Sequence, residues 1–183
     1  MELHFLGTGT STGVPEIGCS CRVCKSTDPK DKRLRTSALV TTQGKNILID
    51  CGPDFRAQML RLLETRHIDK IDGILITHEH YDHVGGMDDL RLFCKKGSLD
   101  IYAEQQVAHA IEQRMPYAFK EHRYPGVPHL QIKIIDNRPF MLTDIEITPI
   151  RLYHARLPIL GFRIGNMAYL TDLKTIPKRN MPN

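Results

Sequence analysis

Apolar and polar positions along this chain alternate mostly in short runs of period two, broken by two or three stretches with helical spacing. Glu2 to Leu6 reads as a first strand, closed by the turn Gly7-Thr8-Gly9. Ser37 to Thr42 and Asn46 to Cys51 read as two strands, with a hairpin turn at Gln43-Gly44-Lys45 between them. Gly52-Pro53-Asp54 then predicts a helix start, with Pro at the first helical position and Asp in the first turn. Phe55, Met59, Leu62 and Leu63 form its apolar stripe. Asp72 to Thr77 is nearly continuous in apolar residues, the pattern of a strand buried on both faces. A helix from about Gly86 to Lys95, a strand from Leu99 to Ala103 and a helix from Glu104 to Met115 follow. Residues 116–129, with Pro116, Pro125 and Pro128, read as a long irregular connection on the substrate side. From Leu130 onward the pattern is all β: Leu130 to Asp136, Ile145 to Tyr153, Ile159 to Ile164 and Met167 to Thr171.

Alternation of this kind predicts an α/β chain forming one domain over residues 1–183, long enough to bury a real core. Composition changes little in that picture: 41% apolar and 25% charged residues are ordinary for a globular protein. The formal net charge of +4 suits an anionic substrate but is far from a nucleic-acid-binding signature. Lys30, Lys32, Arg33 and Arg35 form the one basic cluster, readable as a solvated loop. Neither a secretory signal nor a membrane-length apolar run is visible, so a cytoplasmic location without membrane partners is expected. Five cysteines in such a compartment read as thiols or metal ligands, not disulfides.

Candidate chemistry concentrates in Thr77-His78-Glu79-His80-Tyr81-Asp82-His83-Val84-Gly85-Gly86. Imidazole and carboxylate are the ligands that zinc-like metals prefer, and side chains two apart in an extended segment point the same way. His78 and His80 can therefore grip one ion, while Asp82 and His83 swing to a second if the chain turns helical there. Two metals on one loop imply catalysis more than structure. His154 and Asp172 each end a β run, where open α/β sheets assemble their sites. Cys19, Cys21 and Cys24 form a compact C-x-C-x-x-C knuckle able to hold a structural zinc with a fourth ligand from elsewhere. Cys51 and Cys94 lie in apolar contexts and read as small core residues.

With these residues in place, the chain resembles the metallo-β-lactamase-fold hydrolases through His78, His80, Asp82 and His83, then His154, then Asp172. Within them it is most similar to the phosphoribosyl 1,2-cyclic phosphate phosphodiesterase group. That likeness rests on Phe5-Leu6-Gly7-Thr8-Gly9-Thr10-Ser11, Pro15, the cysteine knuckle, Arg33-Leu34-Arg35-Thr36-Ser37 and Leu160-Gly161-Phe162-Arg163-Ile164. The resemblance implies a four-layer αββα sandwich. It implies that His78, His80 and His154 hold one divalent metal, zinc or manganese, and that Asp82 and His83 hold another. Asp172 would bridge the two, with Asp82 and Asp172 as the carboxylates of the catalytic centre. A hydroxide between the ions would attack a small cyclic or nucleotide-like phosphodiester.

The same resemblance implies elements downstream of Asp172: a last metal-binding histidine, a proton-donating histidine and the knuckle's fourth ligand. Asp172 is followed by no histidine before Asn183, so the sequence reads as a C-terminally truncated piece of a longer protein. His109, His122 and His129 are the remaining histidines that could fill the gap, and none is expected to. Arg156, two residues past His154, is a candidate phosphate contact. Alternatives are a thioester or lactone hydrolase, a tRNA 3′-end processing enzyme, or a zinc-stabilised accessory protein of cofactor biosynthesis without turnover. Expected partners are the small phosphodiester and, in an assembly, a second copy of the chain.

Overall fold

The structure, a computed structural model, describes residues 1–177 apart from Lys96, Glu121 and Arg123. Six strands form the larger sheet: β1 (Glu2–Gly7), β2 (Ser37–Thr42), β3 (Lys45–Ile49), β4 (Gly73–Leu75), β5 (Leu99–Ala103) and β6 (Leu130–Ile134). They lie side by side in chain order, antiparallel from β1 to β3 and parallel from β3 to β6. Parallel neighbours in sequential order need crossovers of one hand, so every crossover helix falls on the same face. The α-helices are α1 (Arg22–Lys25), α2 (Phe55–Leu63), α3 (Tyr81–Val84) and α4 (Gln105–Arg114). Four antiparallel strands, β7 (Phe140–Leu142), β8 (Ile145–His154), β9 (Leu157–Ile164) and β10 (Met167–Tyr169), make a second sheet.

Period-two alternation sorts each strand between two cores. Leu39, Leu48, Ile74 and Ile101 point into the core shared with Phe55, Met59, Val107 and Ile111 of the helices. Their neighbours Val40, Ile47, Ile49, Leu75 and Tyr102 point the other way, onto Leu160, Phe162 and Ile164 of the second sheet. The continuous apolar run through β4 is thus a strand covered on both faces, as the sequence suggested. The α/β sandwich with helices over the six-stranded sheet is the metallo-β-lactamase architecture.

Several local expectations are corrected. The hairpin turn is the two-residue Gln43-Gly44, whose positive φ values of 49° and 72° match the twist of the flanking strands. The helix after Pro53 starts at Phe55, and Asp54 does not cap it. Instead Asp54 accepts from the Arg35 backbone N–H at 2.8 Å and pairs with the Arg35 guanidinium at 3.0 Å. Residues 86–95 are not an α-helix: Met87–Phe93 is a 3-10 helix, preceded by the one-turn α3. Strand β6 stops at Ile134, and β7 adds a strand that its three residues were too short to announce. The 116–129 connection includes a 3-10 turn, Pro116–Ala118, that buries Ala118.

Candidate metal centre

Strand ends build the site. Directly after β3 comes Asp50, fully buried and held at φ 60°. Asp is one of the few residues that tolerates this left-handed geometry. Past β4, Thr77 and His78 are buried, and His80 precedes the single turn of α3 that carries Asp82 and His83. This loop lies backbone to backbone on the turn after β3. Cys51 N–H donates to His83 O at 2.7 Å and Gly86 N–H donates to Cys51 O at 2.9 Å. A Cβ on Gly52 would come within 2.0 Å of Asp82 O, so only glycine permits the approach. The second sheet is stitched on at the same point by Leu160 N–H donating to Thr77 O at 3.0 Å.

His154 ends β8, and Asp172 follows β10 on a segment held from both sides. Residues Met167–Tyr169 pair with β9, and Thr175 bonds back to Tyr153 beside His154. Six residues predicted from the sequence thereby meet. His83 Nε2 lies 2.8 Å from Asp172 Oδ2 and 3.3 Å from Asp82 Oδ2, and His78 Nε2 lies 3.6 Å from the same Asp172 oxygen. His78 Nε2 is 3.1 Å from His80 Nδ1, and the His154 ring stands 5.3 Å from that of His80, centre to centre.

Asp50 is the member that sequence reasoning missed. Its carboxylate accepts from the Thr77 N–H and the Thr77 hydroxyl, both at 2.9 Å, and lies 2.7 Å from His83 Nδ1. With its own proton given to Asp50, the Thr77 oxygen is free to accept from His78 Nδ1, 2.9 Å away. One buried carboxylate therefore occupies the Nδ1 side of both histidines, directly in one case and through Thr77 in the other. Both Nε2 atoms are left facing Asp172. A signal existed: an acid ending the run Ile47-Leu48-Ile49 must find a partner when buried.

Charge states follow from this geometry. His78 is pushed down to about 4 by burial and by the neighbouring His83, so it stays neutral and able to ligate. Burial would depress His83 as well, but the Asp50 charge and hydrogen bonds to Asp172, Asp50 and Asp82 push it up to about 12. Asp172 is pulled to about 2, mainly by its hydrogen bond from His83, and Asp82 is lowered by the same partner. A proton on His83 Nε2 thus sits among carboxylates where a divalent cation would be still better compensated. The donor set, with ligand atoms of His78, His83 and Asp172 all within 4.8 Å of one another, fits a metal.

Beside these residues opens a cleft of about 530 Å3. It is lined by His80, Asp82, His154, Thr171 and Asp172, and by four hydroxyls from the two motifs at residues 5–11 and 33–37: Thr8, Thr10, Ser11 and Thr36. Arg156 sits exposed on the β8–β9 turn and is not among the lining residues. His109 is on α4, bonded to Gln113 at 2.9 Å, and His122 and His129 are exposed, so none of the three joins the site.

The knuckle assembles separately. Cys19, Cys21 and Cys24 bring their sulfurs within 4.8 Å of one another. Cys21 precedes α1, and its sulfur accepts from the Cys24 N–H at 3.4 Å. That amide, with help from the neighbouring thiols, lowers Cys21 to about 7 and favours the thiolate that zinc needs. Cys51 is buried, and the Cys94 thiol donates to the carbonyls of Leu90 and His129.

Fold and site together define the class: the chain belongs to the β-lactamase superfamily, whose domain model matches residues 45–182. It is similar to a diphosphatase of the PhnP family, with 37% identity and a TM-score of 0.87 over 97% of this chain and 67% of that one. It is 53% identical over 178 residues to a protein of Porphyromonas gingivalis named octanoyltransferase, covering 96% of this chain but 35% of that protein. A ribonuclease Z of Thermosynechococcus vestitus is 30% identical over 177 residues, covering 90% of this chain and 36% of that protein. The chain therefore spans about a third of the length of these curated relatives. Among the described residues no helix is long and apolar enough to cross a membrane.

Proposed function

We propose that this chain carries the catalytic centre of a binuclear metal-dependent phosphodiesterase acting on a small cyclic or nucleotide-like phosphodiester. The observation that carries the reading is the cluster of His78, His80, Asp82, His83, His154 and Asp172, with Asp50 fixing the rings of His78 and His83. Four of these residues, His80, Asp82, His154 and Asp172, line one cleft. Likeness to a PhnP-family diphosphatase supports a phosphoester substrate, and the motifs at residues 5–11 and 33–37 favour the phosphoribosyl 1,2-cyclic phosphate phosphodiesterase group. The octanoyltransferase name belongs to a protein of which this chain matches 35%, so the rest of that protein is free to supply the acyl transfer.

In this reading His78, His80 and His154 hold one zinc or manganese ion, Asp82 and His83 hold the other, and Asp172 lies between the two sets. The metals would acidify a water and offset charge on the phosphoryl oxygens. Asp50 and Thr77 keep the two buried imidazoles presenting Nε2. The hydroxyls of Thr8, Thr10, Ser11 and Thr36 offer hydrogen bonds to the non-bridging and sugar oxygens of a substrate in the cleft. Cys19, Cys21 and Cys24 would hold a structural zinc.

The test is hydrolysis of bis(p-nitrophenyl) phosphate by metal-loaded protein, with bound metal counted in parallel. His80→Ala should remove activity and lower the metal content of the site. Unchanged hydrolysis by that variant, or turnover of thioesters and lactones in preference to diesters, would reject the proposal.

A further inference from the structure

The hydroxyls that line the cleft are not equally free. The Thr8 hydroxyl accepts from Arg33 Nη1 at 3.0 Å on the exposed side of the loop, and those of Thr10 and Thr12 lie 3.3 Å apart there. Thr171 Oγ1 donates to Asp172 Oδ1 at 3.2 Å, which commits its proton to the metal centre. Thr36 differs, because its partner comes from behind the cleft wall. Its Oγ1 lies 3.2 Å from the hydroxyl of Tyr169, the last residue of β10. Tyr169 is 7% exposed and belongs to the core between the two sheets.

The direction of that hydrogen bond follows from satisfaction. Among the described residues Thr36 is the one hydrogen-bond partner of the Tyr169 phenol. A buried O–H needs an acceptor, so Tyr169 donates and Thr36 Oγ1 accepts. Burial and the nearby Asp50 charge push the phenol's pKa up, which keeps that proton in place. The Thr36 proton is then left to whatever occupies the cleft, whose wall Thr36 forms.

Both ends of the contact are fixed. Before Thr36, the Arg35 N–H donates to Asp54 Oδ2 and Gln58 Nε2 donates to Arg35 O, each at 2.8 Å. After it, Ser37 Oγ reaches the carbonyls of Asp50 and Ile49 at 2.9 and 3.1 Å. Tyr169 is held in register opposite Phe162 of β9. A donor oriented in advance is worth most to a charged oxygen, because nothing reorganises when the ligand arrives.

We propose that Tyr169 is a positioning residue that fixes the Thr36 hydroxyl as a donor to a phosphoryl oxygen bound in the cleft. This rests on the phosphodiesterase reading and deepens it: Thr36 touches the substrate, and Tyr169 acts only through Thr36. The cleft's carboxylates, Asp82 and Asp172, offer acceptors alone when ionised, so phosphoryl oxygens need donors from another part of the wall.

The test is a double-mutant cycle on the full chain loaded with manganese, read as kcat/KM for bis(p-nitrophenyl) phosphate at matched metal content. Thr36→Val should lower it about tenfold, as loss of one hydrogen bond to a charged oxygen predicts. Thr36→Ser keeps the hydroxyl and should recover most of that loss. Tyr169→Phe should lower it about threefold, because the Thr36 hydroxyl survives and only its direction is lost. In the Thr36→Val background, Tyr169→Phe should lower it no further, since the hydroxyl it acts through is gone. Losses that multiply would make Tyr169 ordinary packing and overturn its role, as would a wild-type rate in either single variant. If wild-type protein hydrolyses no diester, the phosphodiesterase reading falls, and the same proteins are titrated with inorganic phosphate by calorimetry. The same non-multiplying pattern in Kd would then uphold the oriented donor. Any other pattern, or no phosphate binding, would remove it.

Discussion

At the scale of single residues, the centre is organised by a side chain that never faces the cleft. Asp50 spends its carboxylate on Thr77 and His83, so both buried histidines present Nε2. Asp50→Asn should keep the shape and lose the orientation, because an amide can donate where only an acceptor is useful. Metal affinity should fall about 10–100-fold, as for other groups that orient metal-binding histidines. Competition with a chromophoric chelator measures this, and an unchanged affinity would refute the role. The same group of charges sets the pH behaviour of the metal-free protein. His83 is raised from 6.5 to about 12, so its stabilising contribution is complete below 6.5 and drains away as pH rises toward 12. His78 is depressed to about 4, so folding resists its protonation, and stability falls as pH drops from 6.5 toward 4. Asp172, at about 2, adds a loss only below the ordinary carboxylate value of 3.8. Urea midpoints of metal-free protein should therefore peak near pH 6.5 and decline to either side. A midpoint that climbs between pH 6.5 and 9 would contradict the His83 assignment.

Elements were legible where hydrophobic pattern alone decides them. Strands β2 and β3, the doubly buried run through β4 and the apolar stripe of α2 all follow from spacing, because each buries a face that the sequence marks. What failed depended on contacts between distant segments. Asp54 reads as a helix-start residue until Arg35, 19 positions earlier, claims its carboxylate. Residues 87–93 have helical composition, yet Gly86 is pinned to Cys51 and the segment tightens to a 3-10 helix. The site showed the same division. His78, His80, Asp82, His83, His154 and Asp172 announce themselves by ligand type, whereas Asp50 is a common residue placed by the fold alone. Thr8, Thr10, Ser11 and Thr36 stand in the motifs at residues 5–11 and 33–37, with no role until the fold sets them along the cleft. The pinned turn makes its own prediction. A Cβ on Gly86 would lie 1.9 Å from Gly52 O, a backbone atom that cannot step aside. Gly86→Ala should cost about 1–3 kcal/mol of stability by overpacking and weaken metal binding by displacing α3. Denaturation and metal titration of one preparation read both, and wild-type values for both would sink the argument.

For the molecule as a whole, the site is a junction between two sheets, so anything that sets their separation also sets the ligand distances. His154 belongs to the smaller sheet, while His78, His80 and His83 hang from the larger one. Three residues before His154 on β8, Arg151 forms a two-pronged ion pair with Glu104, which follows β5 in the larger sheet. Both side chains are mostly buried, at 15% and 16% exposure. Truncating one partner leaves the other charge desolvated, which costs about 3–5 kcal/mol for a buried pair, whereas replacing both by apolar residues of similar size is often neutral. Glu104→Ala should therefore lower the denaturation midpoint strongly, and Glu104→Leu combined with Arg151→Met should recover most of it. The two should separate in a second measurement. Glu104→Ala loosens the docking that carries His154 toward His78 and His80, so its affinity for the ion those three would share should fall. The packed double variant should hold that affinity. If Glu104→Ala changes stability by less than about 0.5 kcal/mol, the range of an ordinary surface substitution, the pair is no clamp between the sheets and their docking rests on the apolar core between them.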